Sequence, residues 1–387
     1  MLPMKFPSRL IPFVFLPLLG CQSQPGSPGD AGSPVALQDA ARGHFRIGAA
    51  INAGQITEAD PVEAKLLATH FDSITPENDM KWERIQPAPG RFAFEIPDAF
   101  VALGQRQNKQ MIGHTLVWHS QAPDWLFQNA DGSEVSRDEL LRRLREHIRI
   151  VVGRYKGKLQ GWDVVNEAIR DEDGKLRTDK PWYRILGEDA VFVAFEAAHE
   201  VDPDAELYYN DYGLENPVKR AGVLKLIEAI RARGLRIDGI GSQGHYGLDW
   251  PKLAEIDQSL VDFAAAGLKV MYTELDVTVL PRPSNYFGAE ISTVFEKAPE
   301  LDSFRAGLPA DKEAELAARY AAIFSIFAKH RANITRVTFW GLTDRTSWLN
   351  NWPIGGRTDY PLLFDRQNQP KPAFHEVLRV LQQSPAK

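Results

Sequence analysis

Gly161-Trp-Asp-Val-Val-Asn-Glu-Ala-Ile-Arg170 runs apolar and then ends abruptly in an amide and a carboxylate. Trp162 to Val165 read as a buried strand. Asn166 and Glu167 then fall where a parallel strand meets its loop, the usual place for chemistry in a barrel or an open α/β sheet. A lone Glu at a strand end ordinarily just faces water, because Glu is rarely buried without a partner. The reading therefore depends on how the other strands end.

Outward from this strand one unit repeats. Ser136-Arg-Asp-Glu139 has capping-box spacing and opens a helix whose apolar positions Leu140, Leu141, Leu144, Ile148, Val151 and Val152 recur with the helical period. Asp60, Pro61 and Glu63 suit the cap, first and third positions of a helix between the runs 45–50 and 73–76. Further short apolar runs occupy 110–116, 206–210, 237–243, 270–274 and 337–340. Helices fall between them, from Pro217 to a stop at Gly234, from Pro251 to a stop at Gly267, and through Leu316, Tyr320, Ile323, Phe324 and Phe327. Eight strand candidates over roughly 340 residues predict an α/β chain folded as a closed (β/α)8 barrel, one catalytic domain with generous loops. Residues 280–308 would be its largest insertion. A doubly wound open sheet is the alternative, but Ala50-Ile-Asn-Ala-Gly54 lacks the Gly-rich first turn of that class.

The strand ends share a character: Glu77, Asn78 and Lys81; His114, Trp118 and His119; Asn166 and Glu167; Asn210 and Asp211; Gln243 and His245; Glu274 and Asp276; Trp340 and Trp348. In a barrel these ends converge on one face. Glu167 and Glu274, at the ends of strands four and seven, suit glycoside hydrolysis, which needs one carboxylic acid to protonate the leaving oxygen and one carboxylate to attack or to activate water. Tryptophans offer flat faces to sugar rings, though Trp162, in mid-strand, equally suits core packing. His114 and His119 stand five apart with no His-Glu-x-x-His pattern, so no metal and no cofactor is expected.

The formal net charge of -6 shows no basic block of the kind nucleic acid demands. Residues 1–20 read as an export signal, with Lys5 and Arg9 ahead of the apolar run 10–19, which is too short to span a bilayer. Loss of those two cations would take the charge from -6 to -8. The run stops at Leu18-Leu19-Gly20-Cys21, which resembles the lipobox of bacterial lipoproteins, with Cys21 as the lipidation site; ordinary secretion with a nearby cut is the alternative. Cys21 is the single cysteine, which excludes an internal disulfide. Residues 21–40, rich in Gly, Pro and Ser, read as a flexible linker, and 41–387 as the catalytic domain. The expectation is an exported lipoprotein of the outer membrane, facing the periplasm or the cell surface.

Seven motifs carry a wider resemblance: Glu77-Asn-Asp-Met-Lys-Trp82, Gly113-His-Thr-Leu-Val-Trp-His119, Trp162-Asp-Val-Val-Asn-Glu167, Tyr209-Asn-Asp-Tyr212, Gly239-Ile-Gly-Ser-Gln-Gly-His245, Thr273-Glu-Leu-Asp276 and Phe339-Trp-Gly-Leu-Thr-Asp344. Together they resemble the endo-β-1,4-xylanases of glycoside hydrolase family ten, from Phe45 to about Leu381. The resemblance implies a barrel enzyme that cleaves xylan and xylo-oligosaccharides with retention; a monomer is expected separately. Glu167 would be the acid/base and Glu274 the nucleophile. Asn166 would bond the sugar 2-hydroxyl, His245 held by Asp276 would orient Glu274, and Gln243 would sit near both carboxylates. Glu77, Asn78, Lys81, His114, Trp118, Gln121, Trp340 and Trp348 would line the glycone side, with Gln121 and Trp348 crowding the space where glucose carries its hydroxymethyl group. His119, Asn210 and Tyr212 would support the site. The loops depart more freely from the family, notably 280–308 and Thr343-Asp-Arg-Thr-Ser347, where Arg345 would add a charge near Trp348. A retaining barrel glycosidase acting on cellulose or mannan, and a lipoprotein that only captures xylan, are the alternatives.

Overall fold

The computed structural model describes residues 3–4, 35–283, 286 and 290–384. Cys21 and, residues 3 and 4 apart, the expected signal and tether up to residue 34 lie outside them. Eight parallel strands close on themselves: β1 (Arg46–Ile51), β2 (Ser73–Pro76), β3 (Gln110–Trp118), β4 (Gly161–Asn166), β5 (Glu206–Asp211), β6 in two pieces (Gly239–Ser242 and His245–Gly247), β7 (Lys269–Thr278) and β8 (Ile334–Phe339). Each pairs in parallel with the next, and β8 returns to β1 in the register Arg336 to Arg46, which completes the barrel.

Both faces of these strands are covered, which is why the sequence reads as continuous apolar runs rather than as alternation; all six residues of β4 are buried. The outer helices are α1 (Pro61–His70), α2 (Glu95–Arg106), α3 (Arg137–Tyr155), α4 (Asp189–Val201), α5 (Pro217–Ala232), α6 (Leu253–Ala265), α7 (Ala310–Lys329) and α8 (Pro372–Gln383). Asp60 caps α1 by accepting from the Val62 and Glu63 amides. Gly234 and Gly267, at φ of 73° and 67°, follow the ends of α5 and α6 as expected.

Three local expectations need correction. Ser136 accepts from the Glu139 amide, but the Glu139 carboxylate turns to Arg142 and Arg143 instead of back to the cap, because two guanidiniums outbid one amide. Helix α6 starts at Leu253, with Lys252 as its cap and Glu255 accepting from the Lys252 amide, two residues beyond Pro251. The linker ends sooner than residue 40, since Leu37–Ala40 is a short helix with Leu37 fully buried. Gln38 ties it to α1 by donating to the Thr69 carbonyl at 2.8 Å.

Two backbone departures aim the mouth of the barrel. Successive strand side chains point to opposite faces, so Asn166 and Glu167 could not both enter one cleft from a regular strand. Glu167 adopts φ 56°, which swings its side chain back toward Asn166. Strand β6 breaks at Gly244, φ 81°, and its second piece pairs with Asp276 to Thr278 of β7. The break carries His245 into register with Asp276, while the two-residue spacing keeps it on the same side as Gln243.

Trp162 is core, with no exposed surface, and packs against Gly113 of the neighbouring β3. A Cβ at Gly113 would lie 2.1 Å from its ring. Gly113→Ala should therefore cost about 1–3 kcal/mol through overpacking. Urea unfolding checks this, and an unchanged midpoint would contradict the packing.

Candidate active site

A cleft of about 500 Å³ opens at the C-terminal ends of the strands. Glu77, Asn78, Lys81, His114, Trp118, Gln121, Asn166, Glu167, Gln243, His245, Glu274, Trp340 and Trp348 all line it. Residues from six strand ends thus meet in one place. Three lining residues escaped the sequence reading: Ile291, Asn351 and Trp352. Trp352 had a legible signal, since it follows Trp348 by four residues and stacks on it at 4.5 Å with 14° between planes. Ile291 had none, because it comes from the insertion after β7.

The carboxylate of Glu274 at the heart of β7 accepts from Asn210 Nδ2 at 2.8 Å through Oε1 and meets His245 Nε2 at 3.2 Å through Oε2. His245 in turn places Nδ1 3.0 Å from Asp276. Burial works against a charge on His245, but Asp276 and Glu274 outweigh it and raise its pKa to about 10. For Glu274 burial likewise favours the neutral acid; the His245 bond and the charges of His114, His245 and Lys81 prevail, and its pKa ends below the usual value.

Glu167 has neutral donors instead. Trp118 Nε1 donates to Oε2 at 2.7 Å and Gln243 Nε2 to Oε1 at 2.9 Å. Burial dominates here, with Asp211 adding repulsion, and the pKa rises above the usual value despite His119, Gln243 and Arg177. The two carboxylates therefore sit on opposite sides of their ordinary titration.

Side-chain amides join them. Asn210 Nδ2 also donates to Asn166 Oδ1 at 2.9 Å, and Asn166 Nδ2 lies 3.3 Å from Glu167 Oε1. Thr273 fixes the Asn210 amide by donating to Oδ1 at 2.6 Å. The side chain of Gln243 touches Glu167 and Asn166, whereas Glu274 receives only its backbone, the Glu274 amide donating to the Gln243 carbonyl at 2.8 Å.

On the other wall Lys81 Nζ donates to Asn78 at 3.0 Å and Gln121 at 2.9 Å, and stands 4.9 Å from the Trp118 ring centroid. Burial lowers its pKa, opposed by Glu274, Glu77 and Glu167. His114 Nδ1 is 3.0 Å from Asp163, which leaves Nε2 for the cleft. Trp348 Nε1 donates to Asp276 at 2.8 Å, so one buried carboxylate positions both a tryptophan and His245.

The supporting residues are placed differently. Asn210 and Asp276 lie beneath the carboxylates, and His119 stands 4.0 Å from Glu167. Tyr212 packs with Leu349 and Trp352 and lines a second cavity of about 510 Å³ with Asp171, Lys219 and Trp250. Arg345 does not add its charge to the cleft; it pairs with Asp60 and Glu63 at 2.9 and 2.7 Å.

Residues 36–380 match the model of glycosyl hydrolase family 10. Endo-1,4-beta-xylanase A of Xylanibacter ruminicola is 43% identical over 344 residues, 89% of this chain and 93% of that one. The beta-1,4-xylanase of Dictyoglomus thermophilum is 41% identical, covering 89% and 90%. A solved GH10 endoxylanase retrieved from a sugarcane soil metagenome shares 46% identity and superposes with a TM-score of 0.86, covering 89% of this chain and all of the other.

Asp276→Asn should remove the charge that holds His245 protonated while keeping an acceptor for Trp348. The imidazole of His245, charged up to about pH 10 in the parent, should then titrate at lower pH. Proton NMR of the ring checks this; an unmoved titration would contradict the assigned pairing. Because the folded pKa is raised from 6.5, the pair's stabilisation is fully present below pH 6.5 and is lost as pH rises through about 10.

Proposed function

The chain belongs to glycosyl hydrolase family 10, and on that premise we propose that it hydrolyses internal β-1,4-xylosidic bonds of xylan and xylo-oligosaccharides with retention of configuration. The observation that carries this reading is two buried carboxylates in one cleft with opposite partners. Glu274 meets His245 at 3.2 Å, which with nearby cations brings its pKa below the usual value against burial, while Glu167 takes neutral donors from Trp118 and Gln243 and burial raises its pKa.

Glu274 attacks the anomeric carbon as the bond to the leaving oxygen breaks, and Glu167 gives its proton to that oxygen. A glycosyl ester on Glu274 results. Glu167, now ionised, takes a proton from water as the water oxygen attacks the same carbon and frees Glu274. Asn166 bonds the 2-hydroxyl, a role supported by Asn210 and Gln243, which both donate to its Oδ1. Lys81, Asn78, Gln121, His114, Trp340 and Trp348 bind the glycone sugars. The relatives named as xylanases, near 43% and 41% identity, support xylan over cellulose or mannan. Capture without cleavage is disfavoured, since both carboxylates and their supports are in place.

Rate should fall as pH drops through the lowered Glu274 pKa and again as pH rises through the raised Glu167 pKa, a bell whose limbs lie on either side of the usual carboxylate value. Glu167→Ala and Glu274→Ala should each lower xylan hydrolysis by about 10²-fold or more. Product sizing reads the loss, and NMR of the first product should show the β anomer. An α anomer would contradict retention.

We also read residues 1–20 as an export signal and Cys21 as a lipid anchor of a monomeric enzyme, supported by the lipobox-like Leu18-Leu19-Gly20-Cys21. Cys21→Ala should move the protein from the membrane to the soluble fraction. Continued membrane fractionation would overturn the anchor.

A further inference from the structure

Glu290 belongs to the insertion between β7 and α7, yet its Oε2 lies 2.8 Å from Nε2 of His119, just past the end of β3. The same Nε2 is 4.0 Å from Oε2 of Glu167. The other ring nitrogen, Nδ1, is buried without a partner among the described residues. Nε2 is thus the working atom of the ring, and two carboxylates face it. The His119 side chain has no exposed surface and that of Glu290 only 14%, so solvent is poorly placed to stand in for either.

We propose that Glu290 is a positioning residue for the acid/base: by accepting the Nε2–H of His119 it keeps that donor off Glu167, and its own charge discourages a second one beside it. Both effects hold the proton on Glu167 until the leaving oxygen takes it. The inference rests on the reading of Glu167 as the acid/base.

The surroundings allow this. Glu290 is further held by Arg177 at 3.5 Å and Lys180 at 3.9 Å, while its Oε1 accepts from the Ser292 hydroxyl at 2.9 Å. Burial favours its neutral form, but the His119 hydrogen bond and charge and the Lys180 charge more than offset that and hold its pKa below the usual range. Its carboxylate form is thereby favoured. Glu167 is faced by cationic Lys81 and Arg177, by Asp211, and by the hydroxyls of Tyr183 and Tyr212. Against that fixed background Glu290 and Glu167 compete for one N–H.

The test is kcat/KM against pH on an aryl β-xylobioside whose poor leaving group needs protonation. The variants are Glu290→Ala, Glu290→Gln and, as a control, Glu167→Ala, with thermal unfolding to confirm that each is folded. Glu290→Ala frees the donor and removes the charge, so the basic limb should move down by about half to one pH unit. Glu290→Gln removes the charge but keeps an acceptor, and should move it down by less. A basic limb that stays put or moves up in either folded variant overturns the proposal, whatever happens to kcat. In Glu167→Ala the basic limb should vanish; if it persists, the acid/base reading fails and the role of Glu290 falls with it, a failure distinct from an unmoved limb in the Glu290 variants alone.

Discussion

Two carboxylates buried in one cleft disfavour each other's charge, and everything around them in this protein serves to break that symmetry. Glu274 receives the charged partner, His245, itself locked by Asp276. Glu167 receives an indole and an amide, donors too weak to undo the cost of burial. One group can then act as a base-like nucleophile while the other carries a proton. Without the asymmetry the same residues would be two buried acids.

Delivering these partners depends on where the barrel departs from regularity. A uniform strand would send Asn166 and Glu167 to opposite faces, and the left-handed backbone at Glu167 brings them together. Gln243 and His245, two residues apart, share a side of β6 by strand period alone, and they divide between the carboxylates, Gln243 to Glu167 and His245 to Glu274. The barrel supplies convergence, and the local turn at Glu167 completes the pairing.

The barrel was legible because strands buried on both faces leave long apolar runs, and because caps and glycine stops such as Asp60 and Gly234 mark where helices begin and end. The cleft-lining polar and aromatic residues were legible through strand phase and the motifs, apart from Gln121, which only the family resemblance supplied. Side-chain direction was less so: Arg345 turns toward Asp60, a neighbour that only the fold brings near, whereas the turn of the Glu139 carboxylate toward Arg142 and Arg143 is a choice between its cap and its own i+3 and i+4 neighbours that spacing alone leaves open. Ile291 and Glu290 were hidden for the same reason, since an irregular insertion has no period from which to infer what it touches.

That insertion is bound to the loop after β8, through the Phe295 amide on the Pro353 carbonyl at 2.9 Å and the Thr358 amide on Asp302 at 2.9 Å. Its described residues hold Glu290 beside His119 and Ile291 beside the tryptophans Trp348 and Trp352. The division of labour between the two glutamates is tested most directly by trapping the covalent intermediate with a 2-deoxy-2-fluoro xylobioside bearing an activated leaving group, followed by peptide mass spectrometry. One fluoroxylobiosyl group should appear, on the peptide that contains Glu274. Label on Glu167, or turnover without any trapped ester, would contradict that division.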